Sequence, residues 1–194
     1  MSEADDLKNI KNALNGDENA ISDLVKKYLK AIYNFVYKQI GDQAQAEELT
    51  QETFLKAWKK LKSFKQNENF KTWLFTIARH TTIDYFRKKK ALSFSDLSEE
   101  NEKMITEKLP DPNPLPDEIL QKIEDKQILN KLLEKLPQNY KEILILHYIE
   151  DFDFDEIGKI QKKPLNTIRS QHHRALIKLR DLAKNSNFAS ENRQ

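Results

Sequence analysis

Glycine is nearly absent from this chain, with three glycines among 194 residues. Sheet-rich folds and phosphate-binding loops place glycine at tight turns, bulges and close backbone approaches. A chain so poor in glycine is therefore expected to be all-α, with helices joined by polar connections. A length of 194 residues admits one medium-sized domain or two small ones.

Proline divides the chain into two parts. A proline stands at every second position from Pro110 to Pro116, which prevents a helix and favours extended backbone. The surrounding residues 91–118 carry 8 Asp and Glu against 2 Lys and Arg, and we interpret them as a flexible acidic linker. The predicted organisation is an N-terminal domain over 1–90, the linker over 91–118, a C-terminal domain over 119–184 and a disordered tail over 185–194.

Apolar residues recur at helical spacing on both sides of the linker. In the N-terminal domain the pattern predicts helices over 18–40, 44–61 and from about 70 to 87. In the C-terminal domain it predicts helices over 117–136, 138–149, 153–160 and 165–184. The last two helices are separated by a tight connection, Gln161-Lys162-Lys163-Pro164, and the second is longer and basic. A short helix, a brief turn and a longer basic helix form a helix-turn-helix, whose second helix fits the major groove of DNA.

The formal net charge of +2 conceals blocks of opposite sign. Residues 47–90 hold 11 basic against 5 acidic side chains, and residues 159–194 hold 9 against 2. Such segregation indicates two polyanion-binding surfaces. In the last helix Arg169 and His173 are four residues apart, so they share a face that could meet base edges and phosphates. A solvated amphipathic helix is the alternative interpretation.

Residues 60–90 interleave cations with aromatic residues, a combination that binds single-stranded nucleic acid through phosphate contacts and base stacking. Phe70 and Trp73 equally fit a helical core, and both interpretations stay open at this point. Residues 47–52 (EELTQE) place acids at the start of a predicted helix. The helix dipole alone accounts for acids there, and a protein-binding surface is the alternative.

Catalytic and metal-binding patterns are absent from the sequence. The chain has no Cys, no nucleophile elbow, no phosphate-binding loop and no HExxH motif. His172 and His173 are adjacent on a helix and point about 100° apart, so they do not suit a shared metal ion. We therefore expect no enzyme activity, no metal and no cofactor. The acidic start of the chain and the lack of a long apolar run predict a cytoplasmic protein without membrane insertion.

Two sets of segments together resemble one protein family. The first set comprises residues 47–58 (EELTQETFLKAW), 70–79 (FKTWLFTIAR) and 84–87 (DYFR). The second comprises residues 136–142 (LPQNYKE), 156–158 (EIG) and 166–175 (NTIRSQHHRA). In this order, across an acidic linker, they resemble the extracytoplasmic-function group of the sigma-70 family of bacterial transcription initiation factors. The resemblance covers residues 20–90 and 119–184.

The resemblance implies both a fold and a function. The fold would be a sigma region 2 helical bundle followed by a sigma region 4 helix-turn-helix. The function would be that of a sigma factor, which binds the β′ coiled coil and the β subunit of core RNA polymerase and directs initiation at promoter DNA. An anti-sigma factor is a further implied partner. The implied polymerase-binding residues are Glu48, Leu49, Gln51, Glu52 and Phe54.

The resemblance also assigns two DNA-binding surfaces. The single-stranded minus-ten element would be held by Asn67, Glu68, Asn69, Phe70, Lys71, Trp73, Arg79, Arg87 and Lys88. The minus-35 duplex would be read by Asn166, Thr167, Arg169, Ser170, His173, Arg174 and Lys178. The sequence departs from the usual family pattern at Gly158, at the Lys162-Lys163 turn and at His172.

Two other functions fit part of the sequence. A stand-alone helix-turn-helix regulator would bind operator DNA without polymerase and use residues 1–90 for dimerisation or effector binding. A helical adaptor would bind only proteins. Core polymerase separates the three possibilities, because only the sigma factor needs it for specific promoter binding.

Overall fold

The computed structural model describes residues 3–65, 67–92 and 126–185. Every regular element within these ranges is helical, which confirms the all-α prediction. The N-terminal unit contains α1 (Glu3–Leu14), α2 (Glu18–Ile40), α3 (Gln43–Lys60), a 3₁₀ turn (Leu61–Ser63) and α4 (Phe70–Leu92). The C-terminal unit contains α5 (Lys126–Glu134), α6 (Gln138–Leu144), a π-helical turn (Ile145–Ile149), α7 (Phe154–Gln161) and α8 (Leu165–Asn185).

The first helix, α1, is missing from the sequence prediction. Its apolar face is short, but Ile10 enters the core and Asp6 is almost fully buried. The Asp6 carboxylate accepts hydrogen bonds from Lys27 Nζ at 2.6 Å and from the Tyr28 hydroxyl at 2.5 Å. A charge-assisted contact between distant residues, which no periodicity reveals, therefore fixes α1 against α2.

The three predicted helices of the N-terminal unit form one bundle. Asp17 caps the start of α2, and α2 ends at Gly41, whose φ of 78° is left-handed. Asp42 then caps α3 through the backbone N–H of Gln45 at 2.9 Å. These caps satisfy backbone groups that the helix ends leave unpaired and place α2 and α3 side by side. Their apolar faces meet α4 around the fully buried Phe35 and Phe75 rings.

The C-terminal unit packs α5 and α6 against α8. Leu132, Leu144 and Leu179 are buried together in this cluster. The predicted helix over 138–149 is α6 with its π-helical turn. Within the helix predicted over 117–136, the structure describes the part from Lys126 onward. The predicted linker beyond Leu92 and the predicted tail beyond Asn185 lie outside the described residues.

The turn between α7 and α8 uses a lysine where a glycine would be unstrained. Lys162 has φ 54° and ψ 44°, the left-handed conformation that costs a side chain about 1 kcal/mol or more. The Lys163 N–H donates to the Gly158 carbonyl at 3.0 Å. A Cβ at Gly158 would lie 3.0 Å from the Lys163 carbonyl oxygen. The departures from the family pattern at these positions therefore belong to one tight turn.

The two units pack directly against each other. The helix α7 lies on α4, and α2 contacts α6 and the π-helical turn. The Phe75 ring of α4 meets the buried Phe152 ring edge to face, with centroids 4.9 Å apart. One apolar cluster consequently runs from the N-terminal bundle into the C-terminal unit. The sequence pattern gave no indication of this contact.

Candidate nucleic-acid and protein interfaces

The loop before α4 forms a polar rim around the start of that helix. Asn67 and Glu68 are exposed. Asn69 caps α4, because its Oδ1 accepts the Thr72 backbone N–H at 3.1 Å. The predicted strand-binding residues of this loop therefore lie beside a helix N-terminus, where backbone N–H groups favour a phosphate.

The aromatic residues of this region form a packed cluster beneath the rim. Phe70 is 5% exposed, and its ring lies 5.5 Å from those of Phe64 and Trp73 and 5.6 Å from that of Tyr28. Trp73 is half-buried against the same rings. In this arrangement Phe70 presents no free face to a base. Phe70 therefore supports the loop from within the core, which is the alternative that its helical spacing left open.

The side of α4 that carries Lys71 and Thr72 contacts the C-terminal unit. Lys71 donates to the backbone carbonyl of Glu150, and its Nζ lies 4.3 Å from the centroid of the Phe152 ring. At the next residue, the Thr72 hydroxyl donates to Glu156 at 3.2 Å. Glu150 is buried, and this burial raises the pKa of its carboxyl to about 7 although Lys71 opposes the shift.

Arg79 forms a buried ion pair with the C-terminal unit. Its Nε lies 2.5 Å from Oε1 of Glu142, which also accepts a hydrogen bond from Gln161 at 3.1 Å. Burial raises the pKa of Glu142, and the Arg79 charge counteracts part of that rise. The neighbouring His80 has its pKa lowered by partial burial and by the charge of Lys162 from the α7–α8 turn. Charged groups of the C-terminal unit therefore act on both Arg79 and His80.

The other two predicted strand-binding cations lie at the open end of α4. Arg87 is exposed and donates to Asp84 at 3.1 Å, and Lys88 is exposed without an ion-pair partner among the described residues. They are separated from Lys71 by more than four helical turns. The structure therefore places the predicted residues along the length of α4, with Lys71 and Arg79 covered and Arg87 and Lys88 open.

The basic face of α8 is accessible. Asn166, Arg169 and Lys178 are exposed, and Thr167, Ser170, His173 and Arg174 are half-buried. Ser170 donates to the Thr167 carbonyl at 3.0 Å. Within the described ranges Arg169, Arg174 and Lys178 form no ion pair. The predicted duplex-reading residues therefore lie on one helix whose opposite face, through Ile168, Ala175 and Leu179, is buried.

His172 has a structural role that sequence reasoning missed. It hydrogen-bonds to the Tyr148 hydroxyl at 3.0 Å and contacts the rings of His147, Tyr148 and Phe154. The cluster joins α8 to the π-helical turn and to α7. The signal in the sequence was the aromatic and histidine content of residues 147–154, but the pairing depends on the tertiary fold.

The predicted polymerase-binding residues lie on α3. Glu48 and Gln51 are exposed, Glu52 pairs with Lys56 at 2.8 Å, and Phe54 is half-buried. Leu49 is 5% exposed and belongs to the core face of the helix, so it supports the surface from beneath. Leu55 is 60% exposed on the same face as Glu48, Gln51 and Glu52, and it was absent from the predicted set.

The described part of the chain holds no cluster of three or more His, Asp or Glu side chains placed to bind a metal ion. No helix in residues 3–65, 67–92 and 126–185 is long and apolar enough to cross a membrane.

Two family models match the chain, one on each unit. The model of sigma-70 region 2 matches residues 24–92, and the model of sigma-70 region 4 matches residues 126–179. The ECF RNA polymerase sigma factor SigW of Bacillus subtilis is 33% identical over 175 residues, which cover 89% of this chain and 94% of SigW. The RNA polymerase sigma factor YlaC of the same organism is 30% identical over 161 residues, covering 83% and 90%.

A solved structure shows the same relationship. The sigma factor RpoE, in complex with the anti-sigma factor NepR from Bartonella quintana, superposes with a TM-score of 0.65 at 28% sequence identity. The match covers 84% of this chain and 96% of that chain.

Proposed function

The chain belongs to the sigma-70 family, in its extracytoplasmic-function group, and we propose that its two units divide promoter recognition between α4 and α8. As a sigma factor it binds core RNA polymerase and directs promoter-specific initiation, with no catalytic role of its own. The observation that carries the division of roles is the exposed basic face of α8 on a helix-turn-helix, where Arg169, Arg174 and Lys178 form no ion pair with any described residue, together with a second basic helix in the other unit.

The exposed face of α3 is the proposed docking surface for polymerase. Glu48, Gln51 and Glu52 surround Leu55, so the surface combines a small apolar centre with an acidic rim. Apolar contacts at the centre supply affinity, and the rim charges set orientation and association rate. Phe54 packs at the edge of this surface, and the buried Leu49 side chain supports the surface from the core side of α3.

The proposed minus-ten site extends from the loop before α4 along that helix. Asn67, Glu68 and Asn69 form its rim, and the Phe70–Trp73 cluster keeps the rim rigid. The cations that would follow the strand are Lys71, Arg79, Arg87 and Lys88, which are distributed along the length of α4.

The proposed minus-35 site is the outer face of α8. Arg169 and Arg174 can reach base edges or phosphates in the major groove, and Asn166 and Thr167 begin the helix where the recognition helix of such a motif contacts bases. Ser170, His173 and Lys178 complete the face.

We further propose an anti-sigma factor as a protein partner. The support is the matched RpoE structure, which was solved with the anti-sigma factor NepR. Such a partner would compete for the same surfaces of the two units.

The proposal is tested by run-off transcription with purified core polymerase on a library of promoters, with Leu55→Asp as the probe of docking. Loss of polymerase binding in Leu55→Asp with an unchanged unfolding curve is expected. The matched control is Leu29→Asp, because Leu29 is an exposed leucine on α2 outside the docking surface. Equal polymerase affinity of Leu55→Asp and the unchanged chain would reject the docking surface. Specific promoter binding without polymerase would instead identify a stand-alone regulator.

A further inference from the structure

A cavity lies where α1, α2 and the start of α4 meet the segment between the π-helical turn and α7. Its volume of about 410 Å³ falls within the range of about 300–1,000 Å³ that is typical of small-molecule sites. We propose that this cavity binds a small aliphatic diamine, a chain of methylene groups with an ammonium group at each end. The site goes beyond the proposed function, because its occupation requires neither polymerase nor promoter DNA.

Glu150 provides the main observation. It lines the cavity and is only 7% exposed. Its backbone N–H donates to the Ile145 carbonyl at 3.1 Å, and its backbone carbonyl accepts from Lys71. Its carboxyl group, in contrast, has no hydrogen-bond or ion-pair partner within residues 3–65, 67–92 and 126–185. A carboxyl group buried to this extent is normally paired, because loss of hydration is costly for a carboxylate. An ammonium group in the cavity would be the missing donor.

The lysines in the cavity wall are engaged elsewhere. Lys27 pairs with Asp6 at 2.6 Å, and Lys71 donates to the backbone of Glu150 rather than to its carboxyl group. The wall holds three carboxyl groups, those of Asp6, Glu150 and Asp151, against two ammonium groups. A ligand of positive charge therefore fits the cavity better than an anion.

A second carboxyl group and an apolar surface favour a diamine over a simple inorganic cation. Asp151 lines the same cavity, is exposed to solvent and has no hydrogen-bond or ion-pair partner in the part of the chain that the structure describes. Ala31 and Ile149 are half-buried and add apolar surface to the wall. One ammonium group would bind Glu150 and the other Asp151, while the methylene chain packs against Ala31 and Ile149.

The ionisation of Glu150 gives the site a pH dependence. Burial raises the pKa of Glu150 to about 7, so this carboxyl group is only partly ionised at neutral pH. The charged groups around it are Lys71 on α4, Lys38 on α2 and Asp151, with Asp6 and Lys27 in the same cavity wall. An aliphatic ammonium group stays protonated below about pH 9 and prefers the ionised carboxylate. The ionised fraction of Glu150 rises about tenfold between pH 6 and pH 8, so the affinity for the diamine should rise about tenfold as well.

The experiment is isothermal titration calorimetry of the full chain with 1,4-diaminobutane at constant ionic strength. Binding is expected, whereas 1,4-butanediol, which has the same carbon chain without the charges, should not bind. Glu150→Gln should weaken diamine binding about tenfold or more, because the amide keeps the shape of the side chain and removes its charge. The matched control is Glu134→Gln, which removes an exposed carboxylate of α5 outside the cavity and should leave the affinity unchanged.

Ala31→Leu is a second variant that changes the shape of the cavity and none of its charges. It should also weaken binding, because the larger side chain occupies space that the methylene chain needs. Absence of binding by the unchanged chain, or equal affinity of Glu150→Gln and the unchanged chain, would overturn the proposal. Equal binding of 1,4-butanediol, or an affinity that stays constant from pH 6 to pH 8, would overturn it as well. Each measurement uses the free chain, so a failed diamine site and a failed promoter specificity are distinguishable.

Discussion

Arg79 of α4 donates from Nε to Oε1 of Glu142 on α6 across 2.5 Å, and the two residues belong to different units of the chain. Their side chains are 16% and 6% exposed. Each charge has lost most of its hydration, so each depends on the other. A buried ion pair of this kind is strongly destabilising when only one partner is removed.

Arg79→Met is therefore expected to lower the free energy of unfolding by about 3 kcal/mol, because Glu142 is left charged and buried. The decrease in unfolding free energy cannot exceed the free energy needed to separate the two units, because separation exposes the Glu142 carboxylate to water. Adding Glu142→Gln should recover part of it, because the new amide can donate to Gln161 Oε1, which has no partner among the described residues. Urea unfolding of the four proteins measures the coupling, and strictly additive effects would contradict the pairing.

Lys162→Gly is expected to stabilise the protein by about 0.5–1 kcal/mol. Lys162 has a left-handed backbone conformation that glycine adopts without strain. The greater conformational entropy of glycine in the unfolded chain offsets part of this stabilisation. Thermal unfolding measures the effect. The matched control is Lys163→Gly, since Lys163 has no positive φ and should lose stability or stay unchanged. A lower melting temperature for Lys162→Gly would contradict the expectation.

Sequence patterns predicted the helices well because helical periodicity and caps are local. The helices around Leu24, Ile77 and Leu179 follow directly from apolar spacing, and the basic face of α8 follows from the same spacing read on the opposite side. The helix α1 was missed because its anchor is Asp6, whose partners Lys27 and Tyr28 lie more than 20 residues away.

In the candidate site, the sequence predicted the exposed residues of single helices but not the residues whose role depends on tertiary contacts. Arg169 and Glu48 stand on exposed faces, so their assignment needed only the helix phase. Phe70 has helical spacing that suits either a core or a stacking surface, and only its contacts with Tyr28 and Phe64 decide between them. The covering of Lys71 by Glu150 depends on how two units dock, which local sequence does not encode.

Glu150 gives the protein a pH-dependent stability. Its pKa is raised to about 7 by burial first, with a smaller contribution from Asp151, while Lys71 and Lys38 lower it. A carboxyl with a raised pKa stabilises the folded state fully below its ordinary pKa and loses that contribution as the pH rises through 7. The free energy of unfolding should therefore fall by about 3 kcal/mol from this group between pH 4.5 and pH 8.

The measurement is the difference in unfolding free energy between Glu150→Gln and the unchanged chain across that pH range. The variant should be about equal in stability near pH 4.5 and clearly more stable at pH 8. Glu134→Gln is the matched control, because the same substitution there removes an exposed carboxylate of α5. A flat difference for Glu150→Gln would show that burial does not raise the pKa of its carboxyl in the folded protein.

Arg169→Ala tests whether α8 reads bases or only phosphates, because Arg169 is exposed near the start of the helix and free of ion pairs within the described ranges. If Arg169 contacts a base edge, holoenzyme affinity for the preferred minus-35 sequence should fall by about 1–3 kcal/mol and discrimination at one base pair should relax. Lys178→Ala, nine residues further along α8 and at the opposite edge of its exposed surface, is expected to weaken all sequences equally and to reduce the salt dependence of binding by about one phosphate contact. Affinities of the holoenzyme for matched and mismatched promoters at several salt concentrations separate the two behaviours. If Arg169→Ala also weakened every sequence alike, Arg169 would be a phosphate contact, and base reading would pass to Arg174 or to the residues at the beginning of α8.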